Sequence, residues 1–254
     1  MSNVLYEENG SVGLVTFNRP EVGNAFSEEF FDEINEVFDS IATNDHIRSV
    51  ILTGAGKLFC AGGDLNYFQE IIDDLDSDGL PHSFIQAPGN FAKRIREFPK
   101  PVIAAINGAA AGAGLGIALA CDFRVMEERS SLVTSFINVG FAADTGVAYF
   151  LQRMVGTAKT TELLMLSPKV KGQEAKELGL ATEVVADGEL MEASINLANK
   201  LATKSELALY QQKQLINRHF YQDLDLNTQM EATFMNAASQ GEDHKQLVKK
   251  FLSK

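Results

Sequence analysis

The feature that most constrains this chain is residues 102–121, VIAAINGAAAGAGLGIALAC, a run of 20 residues without a charged side chain. Its length suits a membrane-spanning helix, and three of its glycines are spaced as in helices that pair inside membranes. Asn107 near the middle, a fourth glycine and alanine as the main filler argue against a span. A buried strand over 101–106, a glycine-rich turn and a short buried helix over 113–120 fit better. The run therefore predicts the core of a folded domain.

Strand and helix patterns alternate on both sides of this core segment. Residues 4–18 predict a β-hairpin around Asn9-Gly10, a dipeptide favoured in tight hairpin turns. Ser27, followed by two glutamates, predicts the start of a helix. The remaining predicted elements are a strand over 49–53, a solvated mobile loop over 66–90 with Asp73, Asp74, Asp76 and Asp78, a strand over 122–126 followed by a long helical region, a helix and a strand within 171–186, and helices from about 190 onward.

This layout predicts an α/β protein with a helical C-terminal part. We expect a core over residues 1–190 and a helical region over residues 191–254, joined in one folded unit. No low-complexity linker or internal repeat separates the two parts.

Charge and cysteine content limit the possible partners. The chain has 22 Lys and Arg against 34 Asp and Glu, a formal net charge of −12, which disfavours a nucleic-acid or anionic-membrane surface. Its two cysteines cannot build a disulfide framework, and no signal-peptide pattern opens the sequence. We expect a cytoplasmic protein with a reduced interior, no membrane association and no nucleic-acid partner.

Several familiar active-site motifs are absent from the sequence. The glycines near residue 114 do not complete G-x-G-x-x-G, and neither a P-loop nor G-x-S-x-G occurs. The four histidines share no spacing typical of metal ligands. We therefore expect neither a bound cofactor nor a metal site.

Two loops of small residues each lead from a strand toward a helix. Gly62-Gly63 precedes Asp64, and Gly112-Ala113-Gly114 precedes the helix predicted at 115. Backbone N–H groups at helix starts are unpaired, and two that converge on one oxygen form an oxyanion hole. Tight turns packed against their neighbours explain the same residues equally well. The local pattern leaves both interpretations open.

Longer motifs resemble the crotonase superfamily, the enoyl-CoA hydratase/isomerase family. They are FCAGGDL at 59–65, PVIAAINGAAAGAGLGIALACD at 101–122, Asn18-Arg19-Pro20 with Asn24-Ala25, Val139-Gly140, RMVG at 153–156, AKELGL at 175–180 and the helical end EDHKQLVKKFLSK. The resemblance covers essentially the whole chain. It implies a spiral of ββα units, a helical trimerisation region giving a homotrimer or a dimer of trimers, and acyl-CoA thioesters as ligands. Coenzyme A would then be part of the substrate.

The resemblance also assigns expected roles to individual residues. It places the oxyanion-hole amides at Gly63 and Ala113, and substrate contacts at Ala25, Ala61, Asp64, Leu65 and Phe136. Asp64 also suits the cap of the following helix. The two glutamates that position and deprotonate water in hydratases correspond to Gly116 and Phe136 in this chain. Neither residue can hold or activate water, which argues against simple hydration.

One carboxylate remains available for catalysis. Asp144 precedes a helix predicted over 145–155, where an aspartate commonly caps the first turn. It also corresponds to the catalytic aspartate of several isomerases in the family, and the apolar run Phe141-Ala142-Ala143 leads to it. A single carboxyl suits a 1,3-proton shift that converts a 3-enoyl thioester to a 2-enoyl thioester through an enolate held by Gly63 and Ala113. We therefore favour an enoyl-CoA isomerase.

Several alternatives stay open from the sequence. An enoyl-CoA hydratase would need another carboxylate, such as Glu70 or Asp73. An isomerase could act on acyl carrier protein thioesters, or on rings and epoxides carried by coenzyme A. A family member without turnover would bind thioesters only. Dehalogenation is weakly supported, because the place of its histidine base is Gly89 and His82 lies seven residues away.

Overall fold

The computed structural model describes residues 2–74 and 77–253. Asp76 of the predicted acidic loop lies outside the described residues. The strands are β1 (Val4–Asn9), β2 (Val12–Phe17), β3 (Ser49–Gly54), β4 (Val102–Ile106), β5 (Ala109–Ala111), β6 (Phe123–Glu127), β7 (Ser131–Val133), β8 (Val170–Lys171) and β9 (Glu183–Val185). The helices are α1 (Glu28–Thr43), α2 (Leu65–Asp73), α3 (His82–Glu97), α4 (Ala113–Ala120), α5 (Val147–Leu166), α6 (Gly172–Glu177), α7 (Leu190–Ala202), α8 (Glu206–Phe220), α9 (Leu224–Ser239) and α10 (Glu242–Leu252).

The main sheet has six strands in the order β1-β2-β3-β4-β6-β9. The predicted hairpin is confirmed as the antiparallel pair β1–β2, and the other neighbours run parallel. Every residue of β3 and β4 is buried, because helices cover both faces of the sheet. Val50 and Leu52 face the larger core with α1, α3 and α4, whereas Ile51 faces a smaller core against α7.

The uncharged segment folds as the core of the protein. It forms β4, a turn, β5 and α4, so the strand and helix predicted there are confirmed. Strand β5 joins a second sheet with β7 and β8. Helix α4 is buried on every side, and Gly114 packs against Cys60, whose Sγ would lie 2.8 Å from an added Cβ. Within residues 2–74 and 77–253, no helix is long and apolar enough to cross a membrane.

The segment 66–90 differs from the sequence prediction. It is mostly helical, in α2 and the first part of α3, and residues 77–81 before α3 are irregular. Phe68, Ile71 and Ile72 follow the helical period and pack on the core, although acidic residues obscure the pattern in the sequence. This segment is part of the folded body that surrounds the cavity described below.

The region after β6 also differs from the long helical region that the sequence predicts there. Strand β7 comes first, followed by a 3₁₀ turn at Phe136–Val139, and α5 begins only at Val147. Gly140 and Gly146 both have positive φ angles, which redirect the chain before the helix starts. The predicted helices of the last part of the chain are confirmed as α7 to α10.

We expect Gly116→Ala to destabilise the fold by about 1–3 kcal/mol, because the added Cβ overpacks a closed contact. A Cβ at this position would lie 2.6 Å from Cβ and Cγ2 of Thr145. Denaturant unfolding of the variant and the wild type measures the loss. The double variant with Thr145→Gly should recover part of the stability, and a Gly116→Ala protein as stable as the wild type would contradict this packing argument.

Candidate active site

A cavity of about 380 Å³ opens between the two small-residue loops, the 3₁₀ turn and helices α2, α3 and α10. Its walls are mainly apolar and aromatic. Every site residue predicted from the sequence lines it: Ala25, Ala61, Gly63, Asp64, Leu65, Ala113, Phe136 and Asp144. These residues come from five separate parts of the chain, and their roles in binding or catalysis stay predictions.

The two predicted oxyanion-hole amides are available for a ligand. Ala113 is the first residue of α4, and its N–H has no partner within the helix. Among the described residues, neither the Ala113 N–H nor the Gly63 N–H donates a hydrogen bond. The loops approach closely because Gly62 has no side chain: a Cβ there would lie 3.2 Å from Ala113 N. The geometry presents two unpaired donors in the wall of one cavity.

Asp144 is the buried carboxyl of the cavity. Asp144 is 4% exposed, and within the described structure its carboxyl has one hydrogen bond, of 2.6 Å, from the Thr145 hydroxyl to Oδ1. The local alternative, a helix cap, is wrong: the residue before α5 is Gly146, and the Asp144 side chain accepts no helix N–H. Burial raises the pKa of Asp144 to about 7, and the bond from Thr145 opposes that rise. A carboxyl with this pKa can both accept and return a proton near neutral pH.

Asp64 has a structural environment different from that of Asp144. It caps α2 by accepting the Asn66 N–H at 3.1 Å, as predicted, and its other oxygen pairs with Arg19 at 3.2 Å. Arg19 also donates to the Ala25 carbonyl. These contacts tie the loop after Gly63 to the segment around Ala25. Asp64 is thus held by a cation and a helix start, whereas Asp144 has neither.

The family resemblance assigns the two hydratase glutamates to the positions of Gly116 and Phe136. Gly116 faces Thr145, which fills the space that a side chain would need. Phe136 is 8% exposed and places its ring in the cavity wall. Glu70 and Asp73, the alternative carboxylates, lie on α2 and do not line the cavity.

The dehalogenase alternative requires a histidine base near the Asp144 carboxyl. Gly89 lies inside α3 beside a small cavity of about 50 Å³ that also touches Asp144. His82 is the first residue of α3 and lines neither cavity. In the described part of the chain, no histidine takes the place next to Asp144 that this reaction requires.

The sequence prediction missed Glu231 on α9. Its carboxyl is buried and accepts the Gly146 N–H at 2.8 Å, two residues after Asp144. Burial raises the pKa of Glu231 to about 8, the bond from Gly146 opposes this rise, and the charge on Asp144 adds to it. A usable signal was present, since Leu224, Glu231 and Met235 share the buried face of one helix.

The fold has counterparts among solved structures. The enoyl-CoA hydratase from Bacillus halodurans superposes with a TM-score of 0.90 at 25% identity, over 98% of this chain and 100% of that one. The fold is the crotonase fold, as the sequence resemblance implies.

Sequence comparison defines the family. A family model described as Enoyl-CoA hydratase/isomerase matches residues 7–254. The chain is 33% identical to the 1,2-epoxyphenylacetyl-CoA isomerase of Escherichia coli, covering 100% of this chain and 97% of the relative. It is 32% identical to the short-chain-enoyl-CoA hydratase of Clostridium acetobutylicum, covering 100% and 96% respectively. The protein therefore belongs to the enoyl-CoA hydratase/isomerase family of enzymes.

We expect Asp144→Asn to stabilise the protein at high pH. A carboxyl whose pKa is raised on folding costs the folded protein stability when it must ionise. This loss develops as pH rises from the unfolded pKa near 4 through the folded pKa of about 7. The gain should reach up to about 4 kcal/mol above neutral pH, because each pKa unit corresponds to about 1.4 kcal/mol. Unfolding measured near pH 4 and near pH 8 tests this, with the exposed Asp32→Asn as control. Equal effects at both pH values would contradict the assigned burial.

Proposed function

We propose that this protein isomerises the double bond of enoyl thioesters, converting a 3-enoyl-CoA to a 2-enoyl-CoA. The supporting observation is the buried carboxyl of Asp144, which unlike Asp64 pairs with no cation among the described residues, in a cavity that also presents the unpaired N–H groups of Gly63 and Ala113. The positions that correspond to the water-activating glutamates hold Gly116 and Phe136. One proton acceptor and one site for a negative oxygen are sufficient for a 1,3-proton shift.

The proposed reaction has two proton transfers. The thioester carbonyl oxygen accepts hydrogen bonds from Gly63 and Ala113, and the Asp144 carboxylate removes a proton from C2. The electron pair of that C–H bond forms a dienolate whose oxygen is stabilised by the two amides. Asp144 then returns the same proton to C4, and the double bond moves between C2 and C3. The shift is redox-neutral and requires no cofactor.

The cavity wall favours this chemistry over addition of water. Phe136, Phe141 and Phe68 line the cavity beside Asp144. Apolar walls exclude water from the reactive intermediate, which disfavours hydration of the conjugated product. The same apolar walls raise the pKa of Asp144, so that this carboxyl can accept the proton from C2 and carry it to C4.

A second candidate is isomerisation of a ring or epoxide carried by coenzyme A. Seven phenylalanines of the described chain line the cavity, Phe31, Phe84 and Phe141 among them, and flat side chains suit an aromatic or cyclic acyl group. The Escherichia coli relative, a 1,2-epoxyphenylacetyl-CoA isomerase, agrees with this candidate. Both candidate reactions would use the same groups, namely two amides that stabilise a negative oxygen and one carboxyl that moves a proton.

The decisive assay compares 3-hexenoyl-CoA with 2-butenoyl-CoA and follows the absorbance of the conjugated enoyl group. We expect a gain of signal on the first substrate and no loss on the second. Loss on the second alone would mean hydration and would overturn the proposal. The same acyl group on acyl carrier protein, and 1,2-epoxyphenylacetyl-CoA, are further substrates that separate the remaining candidates.

The rate should follow the ionisation of Asp144. Because the carboxylate is the active base, kcat/KM should rise with pH through about 7 and then level off. Asp144→Asn should lower kcat/KM by about 10²–10⁴-fold, the usual contribution of a general base. A variant that retains full activity would remove Asp144 from the mechanism.

Ala113 offers a direct test of the oxyanion hole. Ala113→Pro deletes the N–H, and proline is tolerated at the first position of a helix, so α4 should still form. We expect kcat to fall by about 10²–10³-fold. Ala113→Gly keeps the N–H and is the matched control, which should retain most of the activity. Equal losses in both variants would point to packing instead of hydrogen bonding.

The proposal includes self-association into a homotrimer or a dimer of trimers. Large apolar side chains are exposed on the C-terminal helices, namely Leu207, Leu215, Ile216 and Phe220 on α8, and Leu226, Met230 and Phe234 on α9. Patches of this kind mark interaction surfaces.

We expect sedimentation velocity to show a trimer or hexamer. Ile216→Glu should shift the protein toward smaller species, because it places a charge within the apolar surface. Leu5→Glu, on the edge strand β1, is the control and should leave the distribution unchanged. A monomeric wild type would contradict this part of the proposal.

A further inference from the structure

A second buried carboxyl lies behind the turn that carries Asp144. Glu231 is 5% exposed, and it belongs to α9, 85 residues away from Gly146 in the sequence. Its Oε2 accepts the Gly146 N–H at 2.8 Å, and its Oε1 accepts an N–H of the Asn227 side chain at 2.7 Å. Among the described residues, no Lys, Arg or His pairs with it. The Glu231 side chain does not line the large cavity, so contact with a ligand there does not explain why this carboxyl is buried.

The turn that Glu231 contacts is strained. Val147 N–H donates to the Asp144 carbonyl at 2.9 Å, and Thr145 and Gly146 between them have φ angles of 56° and 73°. Positive φ angles at both central residues are typical of a type I′ turn, a conformation that is unfavourable for a β-branched residue such as threonine. The turn does not use the Gly146 N–H itself, so Glu231 satisfies a buried donor that would otherwise be unpaired.

The strained turn fixes the direction of the catalytic carboxyl. Thr145 is confined by Gly116 of α4, and its hydroxyl donates to Asp144 Oδ1 at 2.6 Å. The next residue is held from the other side by Glu231 of α9. Loss of the hydrogen bond from Gly146 to Glu231 would let the turn relax, and the Asp144 carboxyl would move with the turn.

Few charged or titratable side chains of the described chain lie around Asp144 and Glu231. Asp144 and Glu231 repel one another, and Asp225 on α9 is neutralised by Lys93 on α3 at 2.7 Å. His244 on α10 donates through Nδ1 to the Val139 carbonyl, away from the pair. Two buried carboxyls that interact titrate as a pair, and low local polarity disfavours two negative charges at once.

We propose that Glu231 is a positioning residue for Asp144, which holds the 144–147 turn through the Gly146 N–H and shares a single negative charge with Asp144 at neutral pH. This inference rests on the proposed isomerase function. When Asp144 is the ionised base, Glu231 carries the second proton and remains a hydrogen-bond acceptor. Asp144 therefore ionises without bringing a second charge into the same buried site.

The first test is a titration that needs no substrate. Carbon-13 NMR of protein labelled at Asp and Glu side-chain carboxyls should show one Asp and one Glu titrating together near and above neutral pH. Glu231→Gln keeps an acceptor oxygen for Gly146 and removes the ionisation, so a single Asp titration without the upper step should remain. An Asp144 titration identical in both proteins would overturn the shared charge. The exposed Glu192→Gln on α7 is the control.

The second test separates positioning from simple stability. Glu231→Leu removes the acceptor, and we expect kcat to fall by about 10- to 100-fold with KM changed by less than about threefold, because the carboxyl moves while the pocket stays. Glu231→Gln should keep most of kcat, and the rise of its kcat/KM with pH should follow one ionisation instead of the coupled pair. Unchanged kcat in Glu231→Leu would overturn the positioning role. If that variant does not fold, Glu231→Met, which has an unbranched side chain without an acceptor for the Gly146 N–H, replaces it under the same criteria.

The two tests also distinguish this inference from the proposed function. If the wild type turns over no 3-enoyl thioester but the NMR titration shows the coupled pair, the proposed function fails and the charge sharing stands. If isomerisation occurs and Glu231→Gln leaves both the titration and the pH profile unchanged, the inference fails and the isomerase stands.

Discussion

The structure depends on how closely helix α4 approaches its neighbours. Gly114 lies against Cys60 and Gly116 against Thr145, where an added Cβ would come within 3 Å of existing atoms. The N-terminus of α4 can therefore meet the loop at Gly63, and the turn at Asp144 can lie beside the helix. Small residues over 102–121 thus have a geometric role, because they let three backbone segments meet at one cavity.

The site combines unpaired donors with an acid that has no cation partner. Unpaired N–H groups at Gly63 and Ala113 remain favourable only if a ligand oxygen or water reaches them. The Asp144 carboxyl remains neutral up to about pH 7 because burial penalises its charge. Both features reduce the stability of the folded protein. Under the proposed function, the two unpaired donors face the negative oxygen that develops during the reaction.

Local sequence patterns predicted the elements whose determinants are local. The hairpin, the Ser27 cap of α1, the buried strand β4 and the helix α4 follow from turn preference, capping and hydrophobic runs. The prediction at 66–90 was wrong because acidic residues outweighed a short helical pattern in α2. Asp144 was open to interpretation as a cap because the positive φ angles of the next two residues depend on tertiary contacts. Glu231 could not be linked to it, since the contact joins residues 85 apart. The residues that the family motifs predicted for the site do line one cavity, together with others that were not predicted.

The contact between Gly116 and Thr145 also restricts how this enzyme can evolve. A glutamate at 116, of the kind that hydratases use, needs the space that Thr145 occupies. Loss of the Thr145 side chain would remove the hydroxyl that orients Asp144. Each single substitution therefore disturbs the present site, in whichever order the two are made. Residues 116 and 145 are coupled, and the effects of changing them should not add in a double-mutant cycle.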